Sequence, residues 1–288
     1  MRNVAIVLGL TAITTSATAA DIPLKAPPRP APAFSWTGCY IGGYAGGASS
    51  GGHGATFTDQ GEPNGSFTSF SGGALGATAH GPHSWSAKLD SSVIGGGTLG
   101  CNWQPIGSPF VLGLEGEAGY MHLAGQAFDP NSIVPVVQTT LDVLGSAKVG
   151  DWYGMVTGRL GYAIWDRTLI YVKGGGAFVP TRGAVVDTCT TDLCGNWTIS
   201  TAGRQTVTTW TWTLGGGIEW AFAPSWSVKA EYMFIALGDN GGFQTCSPAF
   251  KGDGSPVNRG IPFCFDNSFG GIHTAKIGLN YRFSGGQY

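Results

Sequence analysis

The sequence predicts an all-β chain, folded as an eight-stranded antiparallel up-and-down transmembrane β-barrel. Three observations lead there. Glycine supplies 49 of the 288 residues, aromatics 12% and charged residues only 11%, against roughly 7% glycine and 25% charge in an ordinary soluble domain. So much glycine is costly in helix interiors, and it lacks the strict three-residue period of collagen. From Phe34 onward, large apolar residues alternate with small or charged ones at period two, the signature of strands with two different faces. The connections between these segments also alternate, short then long.

Each strand follows from its own alternation. Two glycine-rich segments come first, around 36–47 and 91–103. In 110–122, Glu115 and Glu117 share a face with Gly113 and Gly119, while Leu112, Leu114, Ala118 and Tyr120 take the other. In 153–165, Arg159 lies with Thr157 and Gly161, opposite Val156, Leu160, Tyr162 and Ile164. In 169–178, Lys173 and Tyr171 oppose Ile170, Val172 and Phe178. In 210–221, Glu219 lies with Thr211, Thr213 and Gly217, opposite Trp210, Trp212, Leu214, Ile218 and Trp220. In 226–234, Lys229 and Glu231 lie with Ser227, opposite Trp226, Val228, Ala230, Tyr232 and Phe234. In 274–283, Lys276, Asn280 and Arg282 oppose Ile277, Leu279, Tyr281 and Phe283. Each segment is about ten residues, the length a tilted strand needs to cross a bilayer.

The orientation of the two faces decides between solvents. A soluble barrel would put bulky groups inside and many charges outside, and the low charge content argues against it. With the bulky face in lipid, the backbone must be fully paired, so the sheet must close. Eight strands leave an interior only wide enough for side chains. Gln104–Pro109, Asp166–Arg167 and Phe222–Ser225 are short turns, whereas 48–90, 123–152, 179–209 and 235–273 are long. Four long outer loops and short periplasmic turns are the expected layout of such a barrel.

The N-terminus fits export. Arg2 precedes an apolar run from Val4 to Leu10 that extends to Ile13, and small residues Ser16–Ala20 follow. A charged start, a short apolar core and an Ala-x-Ala site at Ala17–Ala19 read as a secretory signal over 1–20, cleaved after Ala19 or Ala20. No later stretch is long and apolar enough to span as a helix. Residues 21–33 contain a Pro-rich periplasmic tether, IPLKAPPRPAPA, whose prolines favour extended geometry. The barrel is expected over 34–283, with 284–288 as a short C-terminal tail.

Several segments together carry a family resemblance. They are FSWTGCYIGG at Phe34–Gly43, GCNWQ at Gly100–Gln104, VLGLEG at Val111–Gly116, RLGYA at Arg159–Ala163 and GLNYRF at Gly278–Phe283. The chain resembles the small outer-membrane β-barrel proteins of Gram-negative bacteria, a group of immunogenic surface and porin-like proteins related to the OmpA transmembrane domain. The resemblance covers nearly all of 21–283 and implies an outer-membrane structural or surface protein, with no known reaction. It also implies that the barrel assembly machinery reads the terminal aromatic pattern Tyr281 and Phe283. Here five residues, Ser284–Tyr288, follow Phe283, where family chains usually end.

Six cysteines in an exported chain suggest disulfides. Cys189 and Cys194 share one long loop and Cys246 and Cys264 another; Cys39 and Cys101 lie near the short-turn ends of adjacent strands, both on the outward face. Metal ligation is the rival, but there is no Cys-x-x-Cys and the pairs lack His partners at metal spacing. His80 and His83 stand in a Gly/Ser-rich loop, and His122 and His273 at strand ends. Gly95–Gly100 matches G-x-G-x-x-G by letter, yet Cys-Asn-Trp-Gln-Pro follows instead of the helix that a dinucleotide site needs.

The lumen charge network is the most chemical feature: Glu115, Glu117, Glu219 and Glu231 against Arg159, Lys173, Lys229, Lys276 and Arg282. A salt-bridged plug is the reading adopted. A narrow ion path or a catalytic carboxylate pair are the sharper alternatives, and a general acid–base pair would need substrate access that a filled lumen does not give. The expected function is a structural, surface-exposed barrel supporting envelope integrity and presenting loops outside the cell. A small porin-like channel is the runner-up, and a lipid-modifying barrel enzyme using a Ser/His/acid group near the outer rim comes third. No catalytic, metal or cofactor site is expected. Outer-membrane lipids are the expected surroundings. A net charge of −2 without a basic cluster gives nucleic acid no electrostatic footing. No motif names a ligand for the loops.

Overall fold

The computed structural model describes residues 34–52, 54–59, 83–130, 133–134, 139–140, 142–188, 204–238, 242–248 and 263–283. The signal, tether and tail segments, His80, Cys189 and Cys194 lie outside the described residues. Every regular element among the described residues is a strand.

Eight strands build the barrel: β1 (Gly38–Ser50), β2 (Ser92–Trp103), β3 (Phe110–Tyr120), β4 (Tyr153–Trp165), β5 (Thr168–Thr188), β6 (Gln205–Trp220), β7 (Trp226–Ile235) and β8 (Ile272–Arg282). Each pairs antiparallel with the next in the chain. The ring closes where β1 pairs with β8, from Tyr40↔Arg282 to Ser50↔Ile272. No barrel strand is left with a free edge in the membrane, which hydrocarbon could not satisfy.

The outward face carries Ile41, Leu99, Leu112, Leu114, Val156, Leu160, Val172, Leu214, Ile218 and Leu279, all exposed. The inward face buries Glu115, Glu117, Arg159, Lys173, Glu219, Lys229, Glu231 and Lys276. Such inversion is stable only where lipid replaces water outside. The period-two expectation thus holds strand by strand, but the inward face is not small and charged along its whole length. Its outer part is apolar: Met155, Val179, Met233, Ile235 and Ile272 are buried there.

The long connections explain this. Ala55–Asp59, His83–Ala87, Phe243–Ser247 and Phe263–Phe269 form a four-stranded antiparallel sheet from the first and last long loops. Phe57, Trp85, Phe265 and Phe269 from that sheet join the inward Tyr44, Tyr153, Met155, Val179 and Ile235 in one buried cluster. The inward residues at the outer mouth meet this sheet instead of water, so they can be apolar.

Two strands also outgrow the membrane. β5 has 21 residues and β6 has 16, whereas about 9–11 tilted residues cross the hydrocarbon. Beyond Phe178, β5 exchanges its neighbour. It pairs with β4 as far as Gly154↔Phe178 and with the strand Asp142–Gly150 from Thr181↔Val149 onward. That strand pairs in turn with His122–Phe128. The handover occurs at Gly150 (φ 109) and Asp151 (φ 81), where the Asp151 N–H donates to the Met121 carbonyl. A wall of sheet therefore continues outward above one side of the barrel.

Candidate functional site

The lumen is filled in three tiers, each built by neighbouring strands. At the short-turn end, Trp36, only 2% exposed, packs with Val111, Leu169, Tyr171 and Ala221, with Phe34 and Ala163 beside them. The Trp36 backbone N–H donates to Gln104 Oε1 at 2.8 Å. Arg282 lies here, on the short-turn side of the eight ion-paired charges. Its guanidinium sits over the Phe34 ring at 4.5 Å and the Trp36 ring at 5.3 Å, and it donates to the carbonyls of Ser35 and Pro224. It faces inward, as alternation expects, and at this depth makes no direct ion pair with the described carboxylates. Being the last inward residue of β8, it has reached the mouth, where carbonyls and rings from the incoming chain are its neighbours.

The middle tier holds the remaining eight charges. Arg159 pairs with Glu219, whose other oxygen accepts from Ser227 (2.5 Å) and Asn280 (3.0 Å). Lys173 Nζ lies 2.6 Å from both Glu115 and Glu231 and 3.5 Å from Glu117. Lys229 bridges Glu115 (2.9 Å) and Glu231 (3.5 Å). Lys276 pairs with Glu117 and lies 3.1 Å from Glu231. Tyrosines complete the shell. Tyr40 donates to Glu115 at 2.6 Å, Tyr171 to Glu231 at 2.8 Å and Tyr153 to Glu117 at 3.0 Å. Four carboxylates thus face four cations, and no formal charge is left over. Such reciprocity is what buried ions need to offset their desolvation.

Alternation put Tyr171 on the face of Lys173 but did not single out Tyr40 and Tyr153, because Tyr is also common on the lipid face. The signal lay across the strands, in glycines that make room for them. A Cβ at Gly100 would come within 2.6 Å of Tyr40 Cζ, and one at Gly217 within 2.8 Å of Tyr171 Oη.

Glu115, Glu117 and Glu231 bring carboxylate oxygens within 4.8 Å of one another. Each already touches a lysine ammonium, so a metal ion would have to displace these internal cations. The donor set fits a plug better than a metal centre. The third tier is the apolar cluster under the loop sheet, with Phe57 and Trp85 stacked at 5.4 Å and Phe265 edge-on to Trp85 at 6.2 Å.

The cysteines are placed as follows. Cys39 and Cys101 face each other across β1 and β2 and are bonded, S–S 2.06 Å. Cys246 and Cys264 are cross-strand partners in the loop sheet, S–S 2.04 Å. At the outer rim, His122 gains an acid partner that spacing did not reveal, Asp151, at 3.3 Å. Ser92 is adjacent, but its hydroxyl accepts from the His122 backbone N–H and donates to the Val93 carbonyl. The hydroxyl is engaged with backbone, so a Ser–His–acid relay is not assembled. His273 bonds to the Tyr232 hydroxyl at 2.5 Å.

Tyr281 and Phe283 share the outward face at the end of β8, their rings 5.6 Å apart and edge-on, with Trp226 5.0 Å from Tyr281. The Phe283 N–H donates to the Cys39 carbonyl of β1.

The chain is 29% identical over 290 residues to the 31 kDa outer-membrane immunogenic protein of Brucella melitensis biotype 1, covering 98% of this chain and all of that one. The protein of the same name from Brucella suis biovar 1 matches equally. Among solved structures, the outer membrane protein OprG from Pseudomonas aeruginosa is similar at 10% identity and TM-score 0.44, covering 87% of this chain and 99% of that one. Residues 5–283 match the model of the outer membrane protein beta-barrel domain; the chain belongs to that family, and it is an outer-membrane β-barrel protein.

Proposed function

We propose that this chain is a structural barrel of the outer membrane, sealed through its lumen, that supports envelope integrity and presents its outer sheet and loops to the outside of the cell. The observation that carries this is the filling of the lumen: Trp36 at the short-turn mouth, eight mutually paired charges in the middle and an aromatic cluster beneath the loop sheet. A steady channel would require water to pass all three tiers. Opening the middle one would break several buried ion pairs at once, each costly to leave half-made. The immunogenic designation of the Brucella relative supports exposure of the loops. Among the described residues, the one serine beside the His122–Asp151 pair, Ser92, is bonded to backbone and does not face the imidazole as a nucleophile would.

The partners that follow are outer-membrane lipid around the barrel and, during biogenesis, the barrel assembly machinery engaging Tyr281 and Phe283. Planar bilayers seeded with the refolded protein test the sealed reading. The expected trace has no unitary conductance steps. Regular steps in the full-length protein would replace the sealed scaffold with the small porin-like channel.

A further inference from the structure

The outward wall above the barrel carries a feature that neither the lumen nor the scaffold role uses. Lys88, Lys148, Arg182 and Arg204 line one open cleft of about 540 Å³, together with Asp90 and Gln126. The cleft lies on the face opposite the buried core. Leu123, Val149 and Val185 point into that core, and Ala124, Lys148 and Arg182 occupy alternate positions on paired strands. It is therefore the outward, lipid-side face of the barrel, carried past the membrane surface.

Its height is fixed by the strands. Phe178 and Trp210 are cross-strand partners with their rings 4.0 Å apart, and Trp152 and Tyr120 are exposed nearby. Such aromatics mark the interface of a barrel. Arg182 stands four residues beyond Phe178 on β5, and Lys148 is its cross-strand partner at the same level. Four residues are about 13 Å along a strand, or about 10 Å along the membrane normal after tilt. The head-group zone extends about 5–8 Å beyond the hydrocarbon, so the Cα positions stand just above it, within reach for long Lys and Arg side chains that extend down towards it.

The charge arrangement is unfavourable without an anion. Lys148 and Arg182 are direct cross-strand partners, and like charges placed so repel. Asp151 relieves part of this, 2.6 Å from Lys148 and 3.9 Å from Arg182. Among the described residues, four cations still face two carboxylates, Asp90 and Asp151. Lys148 is held 24% exposed, and Arg182 is braced by its bond to Thr206 at 2.8 Å. Lys148 is partly desolvated, and Arg182, 41% exposed, is pre-positioned; both favour charge-assisted pairing with a phosphate.

We propose that this cleft binds the phosphate of an outer-leaflet lipid head group, holding a phosphorylated lipid against the barrel wall. Lys148 and Arg182 supply the central contacts, with Lys88 and Arg204 at the sides. The acyl chains of the same lipid lie below, against the aromatic belt and the outward apolar face.

The test uses the full chain folded in detergent micelles and a bisphosphorylated glycolipid, lipid A, as the probe. Retention of lipid A through gel filtration is compared with that of its dephosphorylated form. Wild type should hold the phosphorylated form about tenfold more tightly. Lys148→Gln with Arg182→Gln should bring the two forms level, while Lys148→Arg with Arg182→Lys should restore most of the difference. Heat-modifiable gel migration checks that each variant is folded, and the comparison of the two lipids on wild type needs no variant. Equal retention of both forms by wild type overturns the proposal, as does unchanged preference in a folded double variant. Displacement of lipid A by inorganic phosphate at low concentration would also overturn it, making the cleft a site for free anions.

Discussion

At the scale of single residues, the buried charges dominate. Glu231 accepts from Tyr171 and faces Lys173, Lys229 and Lys276, so its removal leaves three ammoniums sharing two carboxylates. Glu231→Gln should destabilise the barrel by about 3–5 kcal/mol, the usual cost of breaking a buried pair from one side. Urea unfolding from liposomes measures it. Adding Lys173→Met should recover much of the loss, and a single variant with the wild-type midpoint would show that the network is not a stabilising plug. Outside the membrane, the hydrogen bond from Lys148 holds the Asp151 carboxyl below its ordinary value of 3.8, with His122 and Arg182 adding to the shift. A lowered carboxylate stabilises the fold above its unfolded value, and that contribution is lost as pH falls through the folded one. An NMR titration should place Asp151 below 3.8 and show it rising in Lys148→Gln; a midpoint at or above 3.8 in wild type would remove that ion pair. The parity of the middle-tier charges was legible from sequence, since a charge among alternating apolar residues can only face inward. The place of Arg282 was not, because parity fixes a side chain's face and says nothing of its depth.

At the scale of elements, period two was a sufficient guide wherever one face met lipid over a full crossing. It failed where strands were short or their neighbours changed. Ala55–Asp59 and His83–Ala87 have five residues each, so each face shows only two or three side chains, and the second partner of Ala55–Asp59 in the loop sheet is Phe263–Phe269, more than 200 positions away in the chain. Alternation delimited this strand to 169–178, yet β5 runs to Thr188 through Pro180, which cannot donate to a ladder. It continues because Pro180 sits at the handover between β4 and Asp142–Gly150, a break in pairing of the kind that tolerates proline. The lipid face of the regular strands gives the sharper test. Leu114 is 69% and Leu160 50% exposed, and Leu114→Arg or Leu160→Arg near the midplane should each cost about 2–4 kcal/mol in bilayers. Folding titrations in liposomes read this directly, and wild-type stability in either variant would put these leucines away from lipid.

At the scale of the whole molecule, closure depends on one seam, and both of its sides meet at the short-turn mouth. β8 is made last yet must pair with β1, made first. Inside the seam, Arg282 grips Ser35 and lies over Phe34 and Trp36; outside it, Tyr281 and Phe283 face lipid. These two sides have separable roles. The inner contacts form only once the barrel has closed, so they act on stability after assembly. The outer aromatics are exposed on the unpaired last strand, where an assembly factor could read them before closure. Trp36→Ala should therefore lower unfolding stability by about 3–5 kcal/mol while membrane-inserted protein accumulates at the normal rate. Tyr281→Ala with Phe283→Ala should do the reverse, slowing insertion sharply in cells while the protein refolded in detergent keeps its stability. Deleting 284–288 should alter neither, since the seam already ends in the bond from Phe283 to Cys39. Heat-modifiable migration of the membrane fraction over time, set beside urea unfolding of the purified barrel, separates the two. If loss of 284–288 blocks insertion and the Tyr281/Phe283 pair is dispensable, the aromatic that matters is Tyr288 and the recognised strand extends past the seam.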